Sequence, residues 1–291
     1  MVKLLDSDIR TREVLDWTGV HLLHFMGSSC SQKTRIFLNL KGIDWTSRHV
    51  DVPAHENYGD WYMGINPRGL VPVLVHDGQV IIESNDILEH LEAAFPDPKL
   101  IPAGKEKLVH ELLAHEDDLH LDLRALSMRY VFGPGAGQRD EAVLNQYENA
   151  GSGTVAGERD PHKEVELKFF KDLASNGGVS DEQVRGAAGR FKAAFTELDT
   201  RLASGAFLLG EALSVLDIAW YIYAVRLSDA GYPIHAEHPR LGAWFDRLNV
   251  RPEFAREVQA PPPFVERRKA FQAEQSARGE SLVQIAGLKG A

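Results

Sequence analysis

Three short stretches of the sequence carry residue types that could bind or activate a small molecule. The first is GSSCSQKTR, residues 27–35, set between the strand-like VHLLHF (20–25) and a helix-like run that closes at Lys41-Gly42. Ser28, Ser29 and Cys30 fall at the start of that helix. Unpaired backbone N–H groups and the positive end of the helix dipole there lower the pKa of a nearby thiol and stabilise a bound thiolate. A serine hydroxyl in that position need not ionise, because donating a hydrogen bond to a ligand's sulfur already favours the anion. The competing reading is structural, with Ser28 a helix cap and Cys30 a small buried residue. No G-x-S-x-G elbow surrounds the serines, so a serine-hydrolase reading has little support.

The second stretch is GLVPVLVHDG, where Pro72 interrupts a short β-branched run. A proline removes a ladder donor and belongs at a strand start or edge. With a cis bond before it, the backbone N–H and C=O of Val71 would point outward, able to pair with an extended peptide-like ligand by strand addition; otherwise Pro72 is a plain edge-strand proline. The third stretch is ESND. Glu83 ends a strand and Ser84 is expected at the N-cap of the next helix, so a hydroxyl and free amides could take a ligand carboxylate while Glu83 takes an ammonium. The alternative is an ordinary capping serine beside a solvated glutamate.

The elements that must position these residues follow from periodicity. Residues 20–52 read as strand, helix and strand, with a second strand over 44–52, and Asp77-Gly78 marks a hairpin between LVPVLV and QVIIES. Residues 84–98 place Ile87, Leu88, Leu91, Ala94 and Phe95 on one helical face before Pro96 and Pro98 stop it. From about residue 103 strand signals vanish. Leu108, Leu112, Leu119, Leu123, Leu126 and Tyr130 suggest one long helix, Val184 to Leu202 a second, and SVLDIAWYIYAVRLSDAG a third that is apolar nearly all round and therefore central. Ser214 and Asp217 open that third helix in capping-box spacing. Gly- and Asn-rich sequence over about 133–180 reads as an insertion with at most two short helices, and residues 259–291 as a tail of little apolar content.

Composition narrows the function classes. The 291 residues, 44% hydrophobic and 25% charged, are those of a soluble chain of two ordinary domains, and no apolar run reaches the roughly 20 residues of a bilayer span. The N-terminus lacks signal-peptide character, so a cytoplasmic location is expected. One cysteine excludes an intramolecular disulfide and a multi-thiolate metal site. A formal charge of −10 argues against nucleic acid. The histidines, among them His110, His115 and His120, lack metal-binding spacing, and no metal is expected.

The three stretches occur in a fixed order, and INPRGLVPVLVHDGQVIIESNDILEHLEAAFP as a whole resembles the cytosolic glutathione transferases. FLLGEALSVLDIAWYIYAVRL (207–227) and HPRLGAWFDRLNVRPEF (238–254) extend the resemblance. SSCSQKTR is similar to the helix start of the zeta class, the maleylacetoacetate isomerases, and to that of the tetrachlorohydroquinone reductive dehalogenases. The resemblance implies an α/β thioredoxin-like N-terminal domain (β-α-β-α-β-β-α) over 20–98 behind an extension (1–19), then an all-α helical domain over 103–258 that carries the insertion and walls a second-substrate pocket. It further implies glutathione as co-substrate, a small aromatic electrophile as its partner, and a homodimer. Ser28 would hold the glutathione thiolate, Val71 and Pro72 the cysteinyl backbone, and Glu83 and Ser84 the γ-glutamyl head group. His55, Asn57 and Arg68 are candidates for the glycine carboxylate. Cys30 could resolve a mixed disulfide, which would make the protein a reductase or dehalogenase. β-Aryl-ether cleavage, cis-trans isomerisation and a non-catalytic glutathione-binding module stay open.

Overall fold

The run VHLLH forms β1 (Val20–His24), every residue of which is buried, as a strand covered on both faces must be. In the computed structural model, which describes residues 2–290, β1 lies inside a four-stranded sheet. Strand β2 (Thr46–His49) runs parallel to it, β3 (Val73–His76) antiparallel on the other side, and β4 (Gln79–Ile82) antiparallel to β3. With α1 (Ser29–Lys41), α2 (Asp60–Met63) and α3 (Ser84–Ala94) the order is β-α-β-α-β-β-α, the thioredoxin-like arrangement. The strand expected over 44–52 is shorter, because β2 is an edge strand with all four residues exposed. The β3–β4 turn uses Asp77 and Gly78, both at positive φ, and a Cβ on Gly78 would meet the Leu15 carbonyl oxygen at 2.2 Å. Outside β4, the Leu4 N–H bonds the Val80 carbonyl and the Ile82 N–H the Val2 carbonyl, so the N-terminal extension covers the sheet edge.

Helices dominate the rest: α4 (Glu106–Asp118), α5 (His120–Ser127) with a π-helical turn at Met128–Phe132, then α6 (Glu141–Asn149), a hairpin of β5 (Thr154–Val155) and β6 (Glu158–Arg159), and α7 (His162–Ser175). They are followed by α8 (Asp181–Arg201), α9 (Val215–Asp229), α10 (Ile234–Glu237), α11 (Pro239–Asn249), α12 (Pro252–Val258), α13 (Pro262–Ala277) and α14 (Leu282–Ala286). The single long helix expected through 108–130 is broken at Leu119, whose N–H bonds the Glu116 carbonyl in a tightened turn.

Contacts divide the chain into two units, and the division corrects the placement of the insertion. One unit comprises the chain through Pro98 together with Gln138–Ser175; the other comprises Lys99–Gly137 together with the chain from Asn176 onward. Residues 138–175 therefore belong with the sheet, not with the helical domain. The physical reason is an apolar cluster of Leu144, Tyr147, Leu167 and Phe170 with Tyr58 and Met63, in which the Tyr58 and Tyr147 rings stack 4.4 Å apart. A second anchor is Asp8, fully buried, which accepts the Thr154 hydroxyl at 2.7 Å and the Gly157 N–H at 3.1 Å. The insertion is also more helical than its Gly-rich sequence suggests, since α7 runs for 14 residues.

In the helical unit, α9 is buried from Val215 through Leu227, as a helix apolar all round requires. Its start is organised by Asp217. One carboxylate oxygen accepts the Leu208 N–H and the Trp244 indole N–H at 2.9 Å each; the other accepts the N–H and hydroxyl of Ser214 at 2.8 Å each. Burial pushes the Asp217 pKa up, and these donors pull against it. The tail forms α13 and α14 and is tied down where the Gln272 amide donates to the carbonyls of Tyr130 and Asp229 at 2.8 and 2.7 Å. Among the described residues no helix is long and apolar enough to cross a membrane.

Replacing Asp217 by alanine orphans buried donors on three separate segments. It should lower unfolding stability by about 3–5 kcal/mol, read from urea denaturation followed by tryptophan fluorescence.

Candidate active site

Sheet register decides whether the three chemically suggestive stretches can act together. Leu23 pairs with Val73, and Val73 pairs with Ile82. The end of β1, the start of β3 and the end of β4 are therefore neighbours. From that one end of the sheet the chain runs from His24 to Ser28, arrives through Val71 and Pro72, and leaves through Glu83 and Ser84. Strand β2 ends there as well, since His24 pairs with His49, and its continuation leads to His55.

Ser28 is the N-cap of α1, and its Oγ accepts the Ser31 N–H at 3.3 Å. That bond uses a lone pair and leaves the hydroxyl proton for an acceptor. The helix-cap reading of Ser28 is thus fulfilled without removing its capacity to donate. Ser29 and Cys30 are half-buried in the first turn, and Cys30 is in no disulfide. The loop before them is fixed from below by Arg35, buried at 2% exposure, whose guanidinium donates to the carbonyls of Phe25 and Met26 at 3.3 and 3.2 Å.

The Val71–Pro72 bond is cis, and among the described residues the Val71 N–H and C=O take no backbone partner. The loop leading to it is held by side chains. Tyr62 and Asn66 donate to the Leu70 carbonyl at 2.6 and 2.8 Å, and Asn57 donates to the Gly69 carbonyl at 2.7 Å. Asn57 is therefore committed to the loop.

Sequence reasoning put Ser84 at the N-cap of α3; the structure puts Glu83 there and Ser84 in the first helical position. Glu83 holds φ at +67°, costly for a residue with a Cβ, and its side chain does not cap the helix. It reaches instead to Arg68 at 2.5 Å. No side chain caps α3 at Glu83. Lys33 on α1, 1% exposed, donates to Asn85 Oδ1 at 2.8 Å and ties the two helix starts to each other.

The two remaining candidates differ. Arg68 is spent on carboxylates: besides Glu83 it forms a bidentate pair with Asp160, at 2.6 and 2.9 Å. Burial disfavours its charge, but the two carboxylates outweigh that and raise its pKa. A guanidinium so engaged is poorly placed to serve a glycine carboxylate. His55 sits at positive φ, stacks on Tyr58 at 5.9 Å, and has its pKa lowered by burial and then by the Arg139 charge, both of which favour its neutral form. Among the described residues no cluster of His, Cys, Asp or Glu could hold a metal ion. Asp160, Tyr147 and Arg35 escaped sequence reasoning. The first two lie in sequence that gave no signal of docking on the sheet, and Arg35 is a cation inside a helix with nothing to mark it as buried.

The N-terminal-domain model of the glutathione S-transferases matches residues 27–94, and their C-terminal-domain model matches residues 181–247. LigF of Sphingobium sp. is 28% identical over 242 residues, spanning 79% of this chain and 90% of that protein. Tetrachloro-p-hydroquinone reductive dehalogenase of Sphingobium chlorophenolicum is 26% identical over 246 residues, spanning 81% of this chain and 94% of its own length. The crystal structure of the β-etherase LigF from Sphingobium sp. matches with a TM-score of 0.66 at 25% identity, covering 82% of this chain and 98% of that one.

Replacing Arg35 by methionine removes the guanidinium from the Phe25 and Met26 carbonyls, the first of which keeps the Ser28 N–H. Stability should fall by about 2–4 kcal/mol in thermal or urea denaturation, with amide exchange rising first in residues 25–28.

Proposed function

The chain belongs to the glutathione S-transferase family, and from that premise we propose that it binds glutathione at the end of its sheet and uses the thiolate against a small aromatic electrophile. The observation that carries this reading is the register that brings Ser28, Val71–Pro72 and Glu83–Ser84 to one edge. Glutathione offers a complementary series of groups: a thiol, a peptide backbone and a zwitterionic γ-glutamyl head.

In this reading the Ser28 hydroxyl donates to the glutathione sulfur and the α1 N-terminus stabilises its charge, so the thiol proton is released to solvent near neutral pH. Each unit of pKa lowered from about 8.5 stabilises the anion by roughly 1.4 kcal/mol. The free N–H and C=O of Val71 pair with the cysteinyl residue, as in strand addition. Glu83 takes the γ-glutamyl ammonium, and Ser84 with the α3 amides takes its carboxylate. His55, a neutral N–H donor, is assigned to the glycine carboxylate. The thiolate then attacks the electrophilic carbon, a C–S bond forms, and the leaving group, halide or phenolate, departs with its electron pair. A cytoplasmic homodimer is the working form this reading adopts.

β-Aryl ethers are the first substrates to try, because β-etherase LigF is similar along nearly its whole length. A second reading rests on Cys30, half-buried two positions beyond Ser28. Its thiolate could attack the sulfur of a glutathionyl adduct on a reduced aromatic ring, forming an enzyme–glutathione disulfide while the C–S pair returns to the ring with a proton; a second glutathione would then release the enzyme.

The test is glutathione-dependent turnover of a β-aryl ether, a chloroarene, a chlorinated hydroquinone and a maleyl compound. Ser28→Ala should lower kcat/KM about a hundredfold on whichever is used. An unchanged rate would leave only a glutathione-binding module. Cys30→Ser should retain turnover; loss of turnover together with a glutathionylated wild-type enzyme in mass spectrometry selects the reductive route.

A further inference from the structure

Arg68 stands between two carboxylates that come from distant parts of the sequence. Glu83 belongs to the sheet end, whereas Asp160 is 92 residues from Arg68, in the insertion just after β6. Neither contact is a loose surface pair: the side chains of Arg68 and Asp160 are 15% and 11% exposed, and the pairing is bidentate. Asp160 is in turn fixed. Its N–H bonds the Gly153 carbonyl at 3.1 Å and closes the β5–β6 hairpin, and buried Asp8 grips that hairpin through Thr154 and Gly157. The backbone of Arg68 is clamped as well, since the Tyr147 hydroxyl of α6 donates to its carbonyl at 2.8 Å.

The charges explain what this arrangement can do. Arg68 with Glu83 alone is a neutral pair, in which the guanidinium satisfies the carboxylate and leaves it little attraction for a cation. With Asp160 added, one guanidinium is shared by two carboxylates and these three side chains carry a formal charge of −1, while the Lys163 ammonium of α7 interacts with Asp160 and Glu148 and not with Glu83. Glu83 is the more open of the two carboxylates, at 32% exposure against 11% for Asp160, so the uncompensated charge is presented at Glu83. We propose that Asp160 is a positioning residue for the γ-glutamyl ammonium of glutathione, acting through Arg68 to hold Glu83 in place and to keep it electronegative. On this view the insertion belongs to the co-substrate site. The proposal rests on the glutathione-binding reading above.

The experiment measures binding of glutathione and of N-acetylglutathione, which lacks the ammonium, to the full-length protein by isothermal titration calorimetry. Wild type should prefer the free amine. Asp160→Asn, nearly isosteric but uncharged, should raise the Kd for glutathione about tenfold while changing that for the acylated compound less than about twofold, so the preference collapses. Asp160→Glu should recover most of the preference. An unchanged ratio in Asp160→Asn, whether both affinities hold or both fall together as a merely structural defect would make them, overturns the proposal and leaves glutathione binding standing. Failure of wild type itself to bind glutathione overturns the underlying reading and the proposal with it.

Discussion

The candidate site depends on one shared guanidinium. Arg68 lies three residues before Val71, and through Glu83 it touches the residue that opens α3. It thus couples the loop that presents the Val71 peptide edge to the start of α3. Without it, the Glu83 carboxylate would lose its partner, although Tyr62, Asn66 and Asn57 would still hold the loop. A guanidinium suits this position better than an ammonium, because its planar fork can bind Asp160 along one edge and still offer an N–H to Glu83.

The sheet and the helix starts were legible in the sequence because short-range rules govern them. The strand-like run VHLLH, Asp77-Gly78 at the hairpin and Lys41-Gly42 at the end of α1 each act within a few residues, and the structure follows them. The order of the three stretches was legible too. Their convergence is a matter of register, which the hydrophobic pattern of β1, β3 and β4 fixes once those strands are assigned. The cap at α3 was misplaced by one residue, because Ser84 is the better capping type but Glu83 is drawn out of helical geometry by Arg68.

The insertion was misread for a different reason. Its glycines, several at positive φ, and its charges are the composition of a loose excursion. What holds it to the sheet is a set of contacts across long sequence separation: Tyr147 on Tyr58, Asp8 on the β5–β6 hairpin, and Asp160 on Arg68. No periodicity announces such pairs, since each partner looks ordinary in its own segment. The break at Leu119 was invisible for a similar reason, because a single tightened turn costs the helical pattern nothing.

Two arginines, Arg35 buried and Arg68 half-buried, divide the work at the sheet end. Arg35 holds the Phe25 and Met26 carbonyls and so sets where Ser28 begins α1; Arg68 sets Glu83 and the approach to Pro72. Between them, Lys33 donates to Asn85 Oδ1 at 2.8 Å and links the start of α1 to the start of α3. A ligand spanning both would be gripped by its head group at one network and have its sulfur addressed at the other. Disturbing the Arg68 network should then act on ground-state binding, while disturbing the Ser28 loop acts on the charge that develops at sulfur. In the proposed reading, the separation gives a physical basis for one scaffold serving different electrophiles: a head-group grip at Arg68 and Glu83 would be indifferent to the second substrate, and only the surroundings of the sulfur would need to change.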